Sequence, residues 1–172
     1  MKITGYQLMD RIEALREEAQ ALNGQFSGSL FRFSQPTEEK PDPRNLMKTY
    51  LECERKVALL QTAQANYNVR VAVDVLGETM LLQQAVKLIG CANRVKNNWL
   101  SASKNSPDNN NYSAYLDLVR DKNNDYAQRV VTIEECLRLS REAADFATAL
   151  KQAIRAGNAM EIELEIAPSL FL

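Results

Sequence analysis

The chain contains no histidine. That absence removes Ser-His-Asp and Cys-His catalysis, imidazole general-base chemistry near neutral pH, and every histidine-containing metal site. It also removes the di-iron centre that ferritin-like helical proteins build from Glu-x-x-His. Cysteine is scarce as well. Cys53, Cys91 and Cys136 are odd in number, far apart and without CxxC spacing, which argues against a disulfide framework and against a zinc site. Each lies in a helical pattern, so each is expected to be a small buried hydrophobe. A reactive thiol at Cys91 or Cys136 would need a lowered pKa, and the nearby Lys87 and Lys96 read as ordinary helix-surface residues.

Six glycines and five prolines in 172 residues are few, as in a chain that is mostly helix. No sign of charge dominates. The net charge is -1, so there is no basic footprint for nucleic acid. A glycine-rich phosphate loop is missing too. The start, MKITGYQLMDRIEALREE, has no apolar signal-peptide core, and no run approaches the ~18 apolar residues of a membrane span. We therefore expect a single helical domain over residues 1–172, cytoplasmic, without stable membrane insertion and without a cofactor.

What the sequence does contain is one seam, repeated. In Arg44–Gln64 the apolar positions Leu46, Tyr50, Cys53, Val57 and Leu60 step by four and three, which is a helix with a narrow coiled-coil-like stripe. Asp42 is placed to cap it, with Pro43 in its first turn. A second stripe, Met47, Leu51 and Ala58, predicts more than one helical neighbour. Gly5–Asn23 repeats the pattern with Leu8, Ile12, Leu15, Ala19 and Leu22, capped by Thr4 and stopped by Asn23-Gly24. A third helix is expected from Thr79 to about Ser103, with Leu81, Ala85, Leu88, Ala92, Val95 and Trp99 as its seam. Gly90 within it predicts close approach by another backbone, and Trp99 reads as a core or interface anchor. A fourth helix is expected over Tyr126–Ala156, with Val130, Ile133 and Leu137 starting its seam and Leu139, Ala143, Phe146, Leu150 and Ile154 continuing it. Gly157-Asn158 is its stop signal.

Between the helices the patterns are shorter. Leu30–Phe33 reads as a strand with Phe31 and Phe33 on one face. Val69, Val71, Val73 and Val75 alternate with polar or small residues, as in a half-buried strand or an extended crossover ending at Gly77, and we favour the connection. Residues 104–111 read as a polar loop, and 112–119 as a short apolar stretch of undecided type. Near the end, Met160, Ile162, Leu164 and Ile166 alternate with Glu161, Glu163 and Glu165 until Pro168. Such a strand needs a partner. Leu30–Phe33, with Arg32 near the glutamate row, is expected first, then the valine run, then another protomer. The fold class is thus mainly α, an antiparallel bundle of about four long helices with a small β element near residues 30–33 and 159–167.

Two groups of carboxylates invite a chemical reading. Glu142 and Asp145, three apart on one helix face, resemble half of the paired Glu-x-x-Glu and Glu-x-x-Asp motif with which all-helical nucleotide pyrophosphatases hold Mg²⁺. The second half is missing, Asp10-x-x-Glu13 being the nearest. Glu161, Glu163 and Glu165 lie along one strand face and do not converge on a point, so they read as a solvated edge.

The order of the elements carries one further likeness. DRIEALREE in the first helix, a Pro-containing loop, Asn66-Tyr67-Asn68 after the second helix, Gly77-Glu78-Thr79-Met80-Leu81 before the third and Asn158 after the last form a layout that resembles the septicolysin-like family of bacterial helical proteins. The resemblance implies a helical fold and a bacterial origin, and contains no catalytic motif. Three functions follow in order. The first is a non-enzymatic, self-associating interaction or scaffold protein, at least a dimer, built on Leu46, Tyr50, Val57, Leu60, Leu81, Leu88 and Trp99, with no small-molecule ligand named by any motif. A Mg²⁺-dependent hydrolase using Glu142 and Asp145 comes second. The third is a membrane-active protein, which the family's name implies.

Overall fold

The computed structural model describes residues 1–31, 41–104 and 130–171. The protein is mainly α. The four α-helices of the described residues are α1 (Gly5–Ser29), α2 (Pro43–Arg70), α3 (Leu82–Lys104) and α4 (Ile133–Ala159). They pack as two antiparallel pairs, α1 along α2 and α3 along α4, with only slight contact between the pairs. The reason lies in the width of the buried stripes. Helix α1 buries Leu8, Ile12, Leu15 and Ala19, and α2 buries Leu46, Cys53, Val57, Leu60 and Tyr67. One four-three stripe covers one neighbour, and each helix has one. Fully buried leucines such as Leu60 and Leu150 supply roughly 1.5–3 kcal/mol each.

Helix ends follow local chemistry. Thr4 and Gln7 form a reciprocal capping box, with the Gln7 amide donating to Thr4 Oγ1 at 3.2 Å and the Thr4 amide donating to Gln7 Oε1 at 2.9 Å. Asp42 accepts from the Arg44 amide at 2.8 Å, with Pro43 in the first turn as expected. Thr132 caps α4 by accepting from the Glu135 amide at 3.1 Å. That helix starts at Ile133 rather than Tyr126; Val130 lies before it, 96% exposed, and residues 105–129 fall outside the described ones. Two expected stops do not operate. Helix α1 runs through Asn23-Gly24 to Ser29, because the seam continues through Leu22 and Phe26 to the buried Ser29. Helix α2 runs through Asn66 and Asn68 to Arg70, because Tyr67 extends its buried stripe. In both cases apolar spacing outweighs local stop residues.

The valine run resolves into a hairpin. Strand β2 (Ala72–Val75) pairs antiparallel with β3 (Glu78–Leu81), with Ala72 opposite Leu81 and Val75 opposite Glu78. Leu76 and Gly77 make the two-residue turn, both with positive φ (55° and 87°), the conformation that suits a hairpin's twist. Val73 and Val75 are buried while Ala72 and Asp74 face out. The strand reading thus holds from Ala72 onward, and the extended crossover does not. Thr79 and Leu81 belong to β3, so α3 begins three residues later than expected.

The tail keeps its alternation but not its expected partner. Leu164 is buried, Ile162 and Ile166 are half-buried, and the three glutamates are exposed. Only Ile162–Glu163 (β4) form a strand, paired antiparallel with β1 (Lys2–Ile3). Leu30 is a turn residue and Phe31, 73% exposed, is not in a strand; Arg32 and Phe33 lie outside the described residues. Arg70 Nη1 donates to the Glu163 carbonyl at 3.4 Å.

An end of each of these four helices meets the others around Gly5, Tyr67, Leu82 and Gly157. There Tyr67 is fully buried, and its hydroxyl lies 2.6 Å from the carbonyl oxygens of both Gly157 and Met160. A Cβ on Gly157 would sit 2.7 Å from Val73 Cγ1, and one on Gly5 would sit 2.5 Å from Asn158 Oδ1. The close backbone approach expected at Gly90 is found here instead; at Gly90 a Cβ would meet only Arg94 Nη1, at 3.5 Å.

Gly157→Ala is expected to lose about 1–3 kcal/mol through overpacking. Gly24→Ala, in a helix with nothing within 4 Å, should gain about 1 kcal/mol. Urea melts of the two variants check the contrast. Tyr67→Phe should cost about 1–3 kcal/mol, because buried carbonyls lose their donor. Burial raises the Tyr67 pKa above its usual 10.0, and a hydrogen bond from the Gly5 amide opposes this. The folded state therefore holds the proton longer than the unfolded state. The resulting stability is complete below pH 10 and is lost as the pH rises through the folded value. Denaturant melts at alkaline pH should decline more steeply for the native protein than for Tyr67→Phe.

Candidate functional site

The carboxylates come first, because they carry the enzymatic reading. Glu142 and Asp145 are both exposed on α4. Glu142 forms an ion pair with Arg138, one turn away on its own helix, and Glu135 also pairs with Arg138 at 3.7 Å. A carboxylate engaged by a guanidinium on an open helix surface offers little to a divalent cation. Among the described residues, no group of three or more Asp, Glu, Cys or His converges as a metal site would require. The glutamates of the tail point outward along one edge.

None of the three cysteines is in a disulfide, and they differ in access. Cys53 and Cys136 are buried, as expected of small hydrophobes. Burial raises the Cys53 pKa, and the Glu18 carboxylate raises it further, which keeps that thiol protonated. Cys91 departs from expectation: it is exposed on α3. The reason is a rotation of the α3 seam, described below.

A cleft of about 560 Å³ runs along α1, lined by Met9, Ile12, Glu13, Arg16, Glu17, Gln20 and Gln64. Its size would suit a small ligand, but its walls would not. Only Ile12 is buried; the charged side chains stand exposed on one helix face at i, i+3 and i+4. It is an open trough without convergent polar groups.

The residues predicted to form the core and interface divide into two sets. Leu46, Val57 and Leu60 are buried on α2 against α1. Tyr50 is half-buried in the same stripe; a hydrogen bond with Glu54 and that carboxylate's charge raise its pKa. Leu81 and Leu88, by contrast, are 39% and 37% exposed, and Trp99 is half-buried. Helix α3 turns Leu82, Ala85 and Ala92 toward α4, not the stripe that includes Leu88 and Val95. Most residues that α4 buries are small, Cys136, Ser140, Ala147, Ala153 and Gly157, with Leu150 among them, and the Ser140 hydroxyl donates to the Lys96 carbonyl at 3.0 Å. Helix α4 covers only part of the apolar arc of α3, since Leu88 and Val95 stay exposed.

Two apolar faces are left without a neighbour among the described residues. One is the second stripe of α2. Met47, Leu51 and Ala58 are joined on the same face by Thr62, Ala65 and Val69, because the helix continues past Gln64. Leu51 is 49% exposed and Val69 43%. Ala65 and Val69 were missed in the sequence because the helix was expected to stop at Gln64, although the four-three spacing continues unbroken. The other is the α3 stripe of Leu88 and Val95, with Leu81 of β3 just before it.

Comparison with protein-family models, with curated proteins and with solved structures gave no match to this chain. No helix of the described residues is long and apolar enough to cross a membrane.

The unequal access of the thiols is directly measurable. In the native protein one thiol, Cys91, should react rapidly with a maleimide, and Cys53 and Cys136 only on unfolding. Peptide mass mapping of briefly labelled protein checks this, and early label on Cys53 or Cys136 would contradict the packing described.

Proposed function

We propose that this protein is a non-enzymatic interaction or scaffold protein that self-associates, at least to a dimer, through the outer face of α2. The observation that carries the reading is the second α2 stripe, which no helix of the described residues covers. It is self-complementary in an antiparallel pair centred on Ala58. Leu51 then falls opposite Ala65, Met47 opposite Val69, and Ala58 opposite its own copy, so apolar side chains meet apolar ones. The charged residues that interrupt the stripe, Glu54 and Arg55, fall opposite the neutral Thr62 and Gln61. No like charges are forced together in this register. A two-fold dimer uses one patch twice, which is the commonest form of association.

The layout shared with the septicolysin-like family supports a bacterial origin, and the bacterial cytoplasm is the compartment proposed. The hydrolase reading has no comparable support, since Glu142 is held by Arg138 and no second pair of carboxylates stands nearby among the described residues.

Sedimentation equilibrium at micromolar protein should give at least a dimer. Ala58→Glu and Leu51→Glu, at exposed positions, should give a monomer with unchanged helical circular dichroism. A monomeric native protein would overturn the reading, and a dimer unaffected by both substitutions would move the interface elsewhere.

A further inference from the structure

The α3 stripe differs from the α2 stripe in its charge. Leu88 and Val95 lie seven residues apart on α3 and are 37% and 40% exposed, beside the buried Ala85 and Ala92; Leu81, the last residue of β3 just before the helix, is 39% exposed. Helix α3 carries Lys87, Arg94, Lys96 and Lys104 and not one carboxylate. Lys87 and Arg94 directly precede Leu88 and Val95, share their seven-residue spacing and are exposed, so they line the solvent flank of the stripe. Neither makes an ion pair among the described residues, whereas α4 spends Glu135 and Glu142 on its own Arg138.

A second copy of α3 fits this edge poorly. Two such helices side by side would bring two sets of cations together with no acid between them, and like charges at an interface are a means of rejecting a partner. We infer that the α3 edge docks an amphipathic helix of a different protein, one with apolar anchors at seven-residue spacing and Asp or Glu along the flank that meets Lys87 and Arg94. This is helix-in-groove recognition, in which apolar anchors supply affinity and flanking charges supply orientation and choice of partner. The stretch from Leu81 to Val95 accommodates roughly four turns of such a helix. The inference does not depend on the α2 dimer, because it uses another helix and another chemistry.

Cys91 gives a native probe of the edge. It is the exposed thiol, three residues after Leu88 and four before Val95, between the stripe and its basic flank. The test ligand is a synthetic three-heptad peptide with a leucine seam and glutamate flanks, compared with the same peptide carrying lysine flanks. At low salt the glutamate peptide should slow maleimide labelling of Cys91 by about tenfold or more and bind about tenfold tighter than the lysine peptide. Lys87→Glu combined with Arg94→Glu should reverse that preference. Leu88→Ser should weaken binding of the glutamate peptide while the thermal melt is retained, since Leu88 is not part of the core. Equal protection by the two peptides would overturn the inference. So would Cys91 that is slow to label at micromolar protein and fast on dilution, because a second copy would then occupy the edge. Protection by vesicles of anionic phosphatidylglycerol without protection by the glutamate peptide would also overturn it, assigning the edge to a membrane surface.

Discussion

The Tyr67 hydroxyl is placed where four helix ends converge, and the rest of the structure depends on that junction. At the end of α4 the Gly157 carbonyl, which also accepts from the Met160 amide at 3.2 Å, and the carbonyl of the cap residue Met160 both meet this one phenol. The ring itself lies against the start of α1 at Gly5, whose lack of a side chain leaves it room. Tyr67 is the last buried residue of α2. One side chain therefore ties the exit of α2 to the entry of α1 and the exit of α4. Gly157 does the complementary work, admitting Val73 of the hairpin and Leu82 of α3 against the α4 backbone. Without these close approaches the two helical pairs would have little to hold them together, since they hardly touch along their lengths.

That division of labour explains why apolar surface remains outside. A helix in a four-way bundle needs a wide apolar arc. Helices α1 and α2 spend one narrow stripe on each other, and the contact between α3 and α4 closes without using Leu88 or Val95. What is left over is two stripes of different character: one on α2 bordered by both signs of charge, one on α3 bordered by cations alone. The proposed recognition of other helices rests on these two stripes, and among the described residues no group of three or more acids, cysteines or histidines converges as a metal site would require.

Much of the fold was legible because it is repetitive. The four-three spacing located α1, α2 and the later part of α4, and the stripes of α1 and α2 were read with the correct residues buried. The caps at Thr4 and Asp42 were readable from residue type alone. Helix ends were less so, because Asn23-Gly24 and Asn66-Tyr67-Asn68 look like stops until the half-buried Phe26 and the buried Ser29 and Tyr67 are seen to reward continuation. The α3 seam was half right: Ala85 and Ala92 are buried, but Leu82 takes the place expected of Leu81, and Leu88 and Val95 stay exposed. The apolar arc of α3 is wide enough to allow two faces, and only packing against α4 selects the one containing Leu82, Ala85 and Ala92. The α2 interface stripe was half visible, and its continuation to Val69 was hidden by the same misplaced helix end.

By itself the sequence determined the helical class, the individual buried stripes, the caps and the exclusion of histidine chemistry, since these follow from local spacing and residue type. Only the tertiary structure decided which stripe meets which. The pairing of residues 2–3 with residues 162–163, the valine hairpin packed on Gly157, and the bond from Tyr67 to the end of α4 all join segments remote in sequence. Their partners are chosen by shape and by unsatisfied backbone groups, and neither is written in the spacing of apolar residues along a single helix.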